Sequence, residues 1–334
     1  MKRKIKNCRG FGFNQILFSL PVPAVLLSVS VMLCSCTEVF PERSAFAAAS
    51  VPGLAENQGL VDVFIYNDDA LKRLDAYQRT VRTDELPLYS QNGDKIFCLY
   101  ANPKTDSYTW YDINSFEALE GQRVDIETET RGALVSTALC RMKAGTRGTA
   151  CLVPLMSEVR LKSLSVNFKG RFYQGEALKN LKLYLINVSA ECQLFAPRTF
   201  MPTRMVNMGG LNSSDMDKMK DKSLLYSELG QLEDGSKIYP DVRLYCYPNG
   251  CVEDNPGSVH TRLVIEAEID GGIYYYSVTV GGLDGVERAC SYAYDVKITR
   301  KGSTGPDVVC EVDDVEFLCE VTKWEEKEEY IVGF

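Results

Sequence analysis

An all-β protein built from two β-sandwich domains in tandem is the fold class this sequence predicts, and three observations predict it. Runs of four to nine residues alternate apolar and polar side chains, most regularly over residues 261–269. Turn residues such as Asn67-Asp68-Asp69 and Asp270-Gly271-Gly272 separate those runs at short intervals. A helical apolar period is weak everywhere except residues 214–229, where Met216, Met219, Leu224 and Leu225 are loosely spaced. Short strands punctuated by turns describe sandwiches rather than helical or α/β folds.

In chain order, Val61-Asp62-Val63-Phe64-Ile65-Tyr66 is the first strand. Residues 70–82 are ambiguous, because Leu71, Leu74 and Tyr77 fit a helical face while Tyr77 and Val81 suit a strand. Residues 95–103 are a buried-strand candidate, because the apolar run within them is continuous and ends in a turn. Residues 124–130 read as an edge or half-exposed strand. Residues 159–168 alternate with one phase slip between Leu161 and Leu164, which predicts a bulge. Leu181, Leu183 and Leu185 face one side of the next strand, and Lys182, Tyr184 and Ile186 the other. Residues 243–247 lead into Pro248-Asn249-Gly250, read as a turn. The 261–269 strand closes through Asp270-Gly271-Gly272 into a hairpin with residues 273–280. Tyr292, Tyr294, Val296 and Ile298 share a face, and Val315, Phe317, Cys319 and Val321 make a late strand. The seam between domains falls near residues 151–157, giving sandwiches at 60–155 and 156–334.

Before the first strand lies a basic head (Lys2, Arg3, Lys4, Lys6, Arg9) and an uncharged apolar run over residues 16–33. That order is a secretory signal rather than part of the fold. Its Leu33-Cys34-Ser35-Cys36 ending resembles the lipobox of bacterial lipoproteins. The resemblance implies cleavage after residue 35 and lipid on the Cys36 thiol, with residues 36–59 as a tether. The alternative is a single membrane-spanning anchor, since about twenty apolar residues cross a bilayer. Pro21 and Pro23 weaken such a helix, and no basic stop-transfer flank follows.

The chain carries 37 basic and 45 acidic residues. Removing five basic leader residues and no acidic one takes the net charge from -8 to -13. An acidic surface repels phosphate backbones, so nucleic acid is not expected as a partner. Membrane attachment should come from acyl chains on Cys36 instead. Of 12 cysteines, nine remain outside the leader and lipid site. An odd number cannot all pair internally, although an exported chain permits disulfides. Cys246 and Cys251 flank the 247–250 turn and could face each other across a hairpin; the alternative for them, as for the others, is a small buried side chain. Zinc-type C-x-x-C pairs are missing, so no metal is expected.

No catalytic constellation stands out. His260 is the only histidine and reads as a surface loop residue ahead of a strand. Gly281-Gly282-Leu283-Asp284-Gly285 lacks the lysine and the helix of a phosphate loop, and reads as a turn. Tyr274-Tyr275-Tyr276 could stack on sugars, or simply alternate between the core and a solvated sheet face. The expectation is a protein without enzymatic activity and without a cofactor.

The order and spacing of several segments resemble the fimbrillin-type subunits of Bacteroidales type V pili. These are Thr261-Arg262-Leu263-Val264-Ile265-Glu266, then Ile269-Asp270-Gly271 and the tyrosine strand. Tyr294-Asp295-Val296-Lys297-Ile298-Thr299-Arg300-Lys301-Gly302-Ser303 follows, then Pro306-Asp307 and Val321-Thr322-Lys323-Trp324-Glu325-Glu326. Asn207-Met208-Gly209-Gly210-Leu211 and the 61–66 and 181–188 strands resemble them as well.

The resemblance implies two transthyretin-like sandwiches, export as an outer-membrane lipoprotein, and later residence in a surface fimbria. It implies fimbrial subunits as partners, an arginine-specific protease that removes an N-terminal segment, and a host or bacterial surface ligand. Strand exchange would then fill an opened groove with a neighbour's C-terminal strand. Arg43 is the candidate cleavage point, although residues 37–43 are short and polar for a full sandwich strand. The donor would come from residues 315–321 and from Tyr330, Ile331, Val332 and Phe334. The alternative is that both segments finish the chain's own second sheet. The competing functional expectation is a non-polymerising surface lipoprotein that binds glycan or protein, or an uncleaved pilus anchor.

Overall fold

The computed structural model describes residues 60–82, 93–102, 110, 112–143, 147–150, 152–195, 200–251, 259–308, 310, 315–324 and 330–333. The first part of the chain contributes β1 (Leu60–Asn67), β2 (Leu74–Arg82) and β3 (Asp94–Ala101). Helix α1 (Phe116–Glu120) follows, then β4 (Arg123–Asp125), β5 (Ser136–Lys143), β6 (Arg147–Ala150) and β7 (Val153–Pro154). Five of these strands form an antiparallel sheet in the order β2-β1-β3-β5-β7.

The unbroken apolar run of β3 has a simple cause: both of its faces are buried. Ile96, Cys98 and Tyr100 join the main core, while Phe97, Leu99 and Ala101 join a second cluster with Val61, Val63 and Ile65. The ambiguous 70–82 segment is a strand from Leu74 onward. Asp69 Oδ1 accepts from the backbone of Leu71 and Lys72, 2.9 and 2.8 Å away, so the chain turns there instead of starting a helix. Val124–Thr130 was expected as one strand, and only its first two residues belong to one. Asp125 caps a 3-10 turn over Ile126–Thr128, its Oδ1 accepting from Glu127 N at 2.9 Å. A carboxylate that satisfies its own neighbour's backbone competes with ladder formation.

Lys95 is fully buried on β3, with its Nζ 2.6 Å from Asn67 Oδ1 and 2.9 Å from Asp75 Oδ2. The pair ties β2 to β3 across β1. Replacing Lys95 by methionine keeps the stem but strips this partner from a carboxylate whose side chain is only 11% exposed. The expected loss is about 3 kcal/mol in a urea unfolding titration.

The rest of the chain supplies β8 (Ser157–Val166), β9 (Leu178–Ile186), β10 (Val188–Ser189), β11 (Glu191–Gln193) and β12 (Met205–Val206). Helix α2 (Ser213–Lys218) precedes β13 (Tyr226–Leu232), β14 (Lys237–Ile238) and β15 (Val242–Cys246). Then come β16 (Arg262–Ile269), β17 (Gly272–Thr279), β18 (Cys290–Ile298), β19 (Val315–Lys323) and β20 (Tyr330–Gly333). One antiparallel sheet runs β13-β9-β16-β17. The other centres on β8, which pairs β14 and β15 on one side and lies parallel to β18 on the other, with β19 beyond.

Local chemistry explains the regular parts. Asp270 and Gly271, at φ 50° and 74°, form a two-residue turn between the paired Ile269 and Gly272, the left-handed geometry that tight hairpins require. The phase slip in β8 is a register shift against β18, where Tyr294 faces Leu161 and Asp295 faces Ser163. Leu181, Leu183 and Leu185 enter the main core, and Tyr184 and Ile186 form a small cluster with Val264 on the opposite face.

The loosely helical stretch 214–229 resolves into α2, a 3-10 turn at Lys222–Leu224, and strand β13. Met219 is already extended (φ -66°, ψ 126°), and Asp221 Oδ1 captures Ser223 N at 3.0 Å. The stretch is therefore interrupted by a cap of its own sequence.

His260, expected at the surface, is 7% exposed, and its carbonyl accepts from Asn187 Nδ2. The eight described cysteines are all unbridged, Cys246 and Cys251 among them. Tyr247-Pro248-Asn249-Gly250 does not fold back between those two. Asn249 and Val286 exchange two backbone hydrogen bonds of 2.9 Å, and Gly250 N donates to Phe200 O at 2.7 Å. Backbone partners from distant segments hold the run extended.

One continuous buried cluster joins the sheets, running from Tyr66, Tyr100 and Ile126 through Leu161 and Leu183 to Tyr294. Strand β4 pairs with β11, and Tyr247 donates to the fully buried Glu129 at 2.9 Å. Tyr247→Phe should remove this donor and lower stability by about 1–3 kcal/mol, read as a shifted urea midpoint with an unchanged slope.

Candidate functional site

The two C-terminal strands are where the sequence places assembly, and they occupy different parts of the molecule. β19 completes the chain's own β8-centred sheet, pairing along its whole length with β18 from Ile298↔Val315 to Cys290↔Lys323. β20 does not join that sheet. It lies antiparallel to β6, with Tyr330 opposite Ala150, Ile331 opposite Thr149, Val332 opposite Gly148 and Gly333 opposite Arg147. Phe334, Cys36 and Arg43 lie outside the described residues.

The core-facing stripe of β19 runs out of cover along its length. Val315 is buried and Phe317 half-buried, its ring edge-on to Tyr294 at 6.4 Å. Cys319 is exposed and Val321 is 54% exposed. On the opposite face Leu318 is 69% exposed between two carboxylates, each held from within the sheet: Lys297 is 3.4 Å from Glu316, and Lys162 is 3.3 Å from Glu320. Desolvation pushes the Cys319 thiol up. Trp324 N closes the ladder onto Ala289 O at 2.9 Å. Pattern alone made these residues a late strand; that its core-facing stripe would lack cover was not visible from alternation.

With this architecture in hand, solved structures give its likeness. A candidate cell adhesion protein from Bacteroides eggerthii superposes with a TM-score of 0.56 at 12% identity, over 81% of this chain and 90% of that one. A second, from Parabacteroides distasonis, gives 0.55 at 12% over 89% and 96%. The fimbrilin of Porphyromonas gingivalis gives 0.53 at 11% over 85% and 95%. The chain has the fimbrillin-type fold. Identities this low carry the fold and nothing finer. No protein-family model matches the sequence, and no curated protein does.

Other features of the chain read as structure. Tyr276 is core, its hydroxyl donating to Arg300 O at 2.7 Å, and Tyr275 packs on the small Tyr184 cluster. Tyr274 lies under the Lys301 ammonium, 5.2 Å from ring centre to Nζ. The three tyrosines thus alternate between core and sheet face and present no row of open rings.

Beside them, Asn180, Lys182, Glu228, Glu266, Glu268 and Ile273 line a shallow cavity of about 280 Å³. Its carboxylates are satisfied from within: Lys182 to Glu266 at 2.6 Å, Asn180 to Glu268 at 2.9 Å, Tyr226 to Glu228 at 2.8 Å. The 281–285 glycines make a tight turn. A Cβ on Gly281, at φ 74°, would sit 1.7 Å from Gly285 O. No group of three metal-ligating side chains occurs among the described residues.

Proposed function

We propose that this chain is a structural or adhesive subunit of a cell-surface fimbria. In this reading it reaches the outer membrane as a lipoprotein on Cys36, is cut at Arg43 by an arginine-specific protease, and joins neighbours by exchanging its C-terminal strand. Residues 60–155 and 156–334 act as its two sandwich units, and its work is non-enzymatic. The observation that carries the reading is the fold shared with the Porphyromonas fimbrilin over 85% of this chain. The candidate adhesion proteins of the same fold support the adhesive side of it.

The physical basis of exchange is a short terminal ladder. β20 contributes four residues, joined to β19 through Trp324 and the five charged residues that follow it. Trading that ladder for the same ladder in a neighbour conserves hydrogen bonds, so a freed groove decides the direction. A second reading, a non-polymerising surface lipoprotein that binds glycan or protein, or an uncleaved anchor, is favoured by one observation: β20 is already paired within its own chain.

Limited trypsin treatment of the purified chain from residue 36 onward separates the two. Ladders on an unboiled gel after cleavage, absent from Arg43→Ala and from a chain lacking residues 330–334, support exchange. A persistent monomer before and after cleavage rejects it in favour of the second reading.

A further inference from the structure

We propose that the outer edge of β19 is a self-pairing surface, on which a second copy of this chain docks its own β19 antiparallel about a twofold axis at Cys319. This interface is separate from the terminal strand exchange, because it uses neither β20 nor β6.

The first ground is the character of the edge. β18 takes one side of β19, and among the described residues no strand takes the other. Open edges invite pairing unless they are bulged, short, covered or carry unpaired charge; on β19 the carboxylates Glu316 and Glu320 are each paired with a lysine of the same sheet. The other outer strands of the three large sheets are interrupted, bridged or short. β2 and β13 each contain two register shifts, β17 is bridged by Ser303, and β7 and β14 are two residues long. β15 has five residues. β19 has nine, in unbroken register with β18, without proline or bulge. Its exposed residues include Leu318 and Val321, at 69% and 54%.

The second ground is self-complementarity, which also selects the register. In an antiparallel pair, directly opposed residues share a face and sit about 4.5–5.5 Å apart. A twofold axis at Cys319 sets Phe317 against Val321, Cys319 against Cys319, Leu318 against Glu320, and Glu316 against Thr322. The apolar stripe of one copy then continues into that of the other, and no like charges are directly opposed. Moving the axis to Leu318 would face Glu316 with Glu320, and moving it to Glu320 would face that carboxylate with itself. Both neighbouring registers are therefore disfavoured. In the selected one, Lys297 and Lys162 already hold Glu316 and Glu320 from behind.

The test uses the uncleaved chain downstream of the leader, carrying Cys36→Ser, in sedimentation velocity at about 100 μM under reducing conditions. A dimer is expected, with Val321→Lys weakening it about tenfold or more while leaving the thermal melt intact. The disulfide agent diamide should then join the copies through Cys319 alone, since opposed Cα atoms lie within the roughly 4.4–6.8 Å that a disulfide spans. Cys319→Ala should lose the crosslink and keep the dimer.

A monomer at that concentration, an unaffected Val321→Lys dimer, or a crosslink mapped to another cysteine overturns the proposal. So does a chain that dimerises only after the residues before Leu60 are removed, which would make that segment the occupant of the edge. Deleting residues 330–334 should leave this dimer untouched while abolishing the cleavage-dependent ladder, so the two ideas fail separately.

Discussion

Raising the pH from 8 to 11 in the presence of a thiol reductant is expected to unfold the protein. Burial pushes the Cys192 and Cys246 thiols up to about 12, and Cys98 higher still. It does the same to the Tyr66, Tyr184, Tyr247, Tyr292 and Tyr294 phenols. Unfolded, a thiol ionises near pH 9 and a phenol near 10. Above those values the unfolded state binds fewer protons than the folded one, so stability falls as pH rises.

The three thiols alone remove about 4 kcal/mol per pH unit above 9, or about 8 by pH 11. That is comparable with the whole stability of a typical domain, about 5–15 kcal/mol. Arg288 opposes this, because desolvation lowers its guanidinium to about 10, but it is one group against eight. Urea midpoints followed by circular dichroism should drop steeply above pH 9. Cys246→Ala should flatten the dependence by about 1.4 kcal/mol per unit. A midpoint constant from pH 8 to 10.5 would contradict the burial of these groups.

Arg288→Met is expected to destabilise the protein by about 3–5 kcal/mol, among the largest effects of any single substitution here. Arg288 precedes β18, yet its guanidinium bonds to residues more than a hundred positions earlier. Its Nε donates to Pro154 O at 3.0 Å, and one terminal nitrogen donates to Val153 O and Thr137 Oγ1 at 2.7 and 2.8 Å. The guanidinium thereby pins the β5–β7 margin of the first sheet to the β8-centred sheet. Methionine fills much of the space but leaves three acceptors without this donor. Arg288→Lys should fall between the two, because an ammonium cannot reproduce the planar fork that meets three acceptors at once. Equilibrium urea unfolding at pH 7 would measure both, and a methionine variant within 1 kcal/mol of the parent would refute the role.

The features that sequence reading captured are those whose chemistry is local. The β16–β17 hairpin is written in alternation plus Asp270-Gly271, and the β8 bulge in a phase slip of its own side chains. β3 announces its double burial through an unbroken apolar run. The features it missed depend on partners far along the chain. Residues 226–232 become a strand because β9 is there to pair with them, and residues 247–250 stay extended because Val286 and Phe200 supply backbone partners. His260 is buried by the same logic, in a network with Asn187. At the candidate assembly site, the pattern placed β19 correctly as a late strand. A strand's pattern says which side chains point inward, not whether a neighbour lies beyond its edge.

The parallel pairing of β8 with β18 also governs the order in which the molecule can be built. Ser291 meets Glu158 and Ile298 meets Val166, contacts separated by more than 130 residues of chain. Closing so long a loop is entropically unfavourable until the contacts form, and topologies rich in distant pairs fold slowly. During synthesis, β8 emerges with one flank vacant and must wait until β18 has been made. β19 can join only after β18 has docked, so it is the last piece of its sheet to arrive. The proposed pairing surface is thus withheld until the body beneath it is complete.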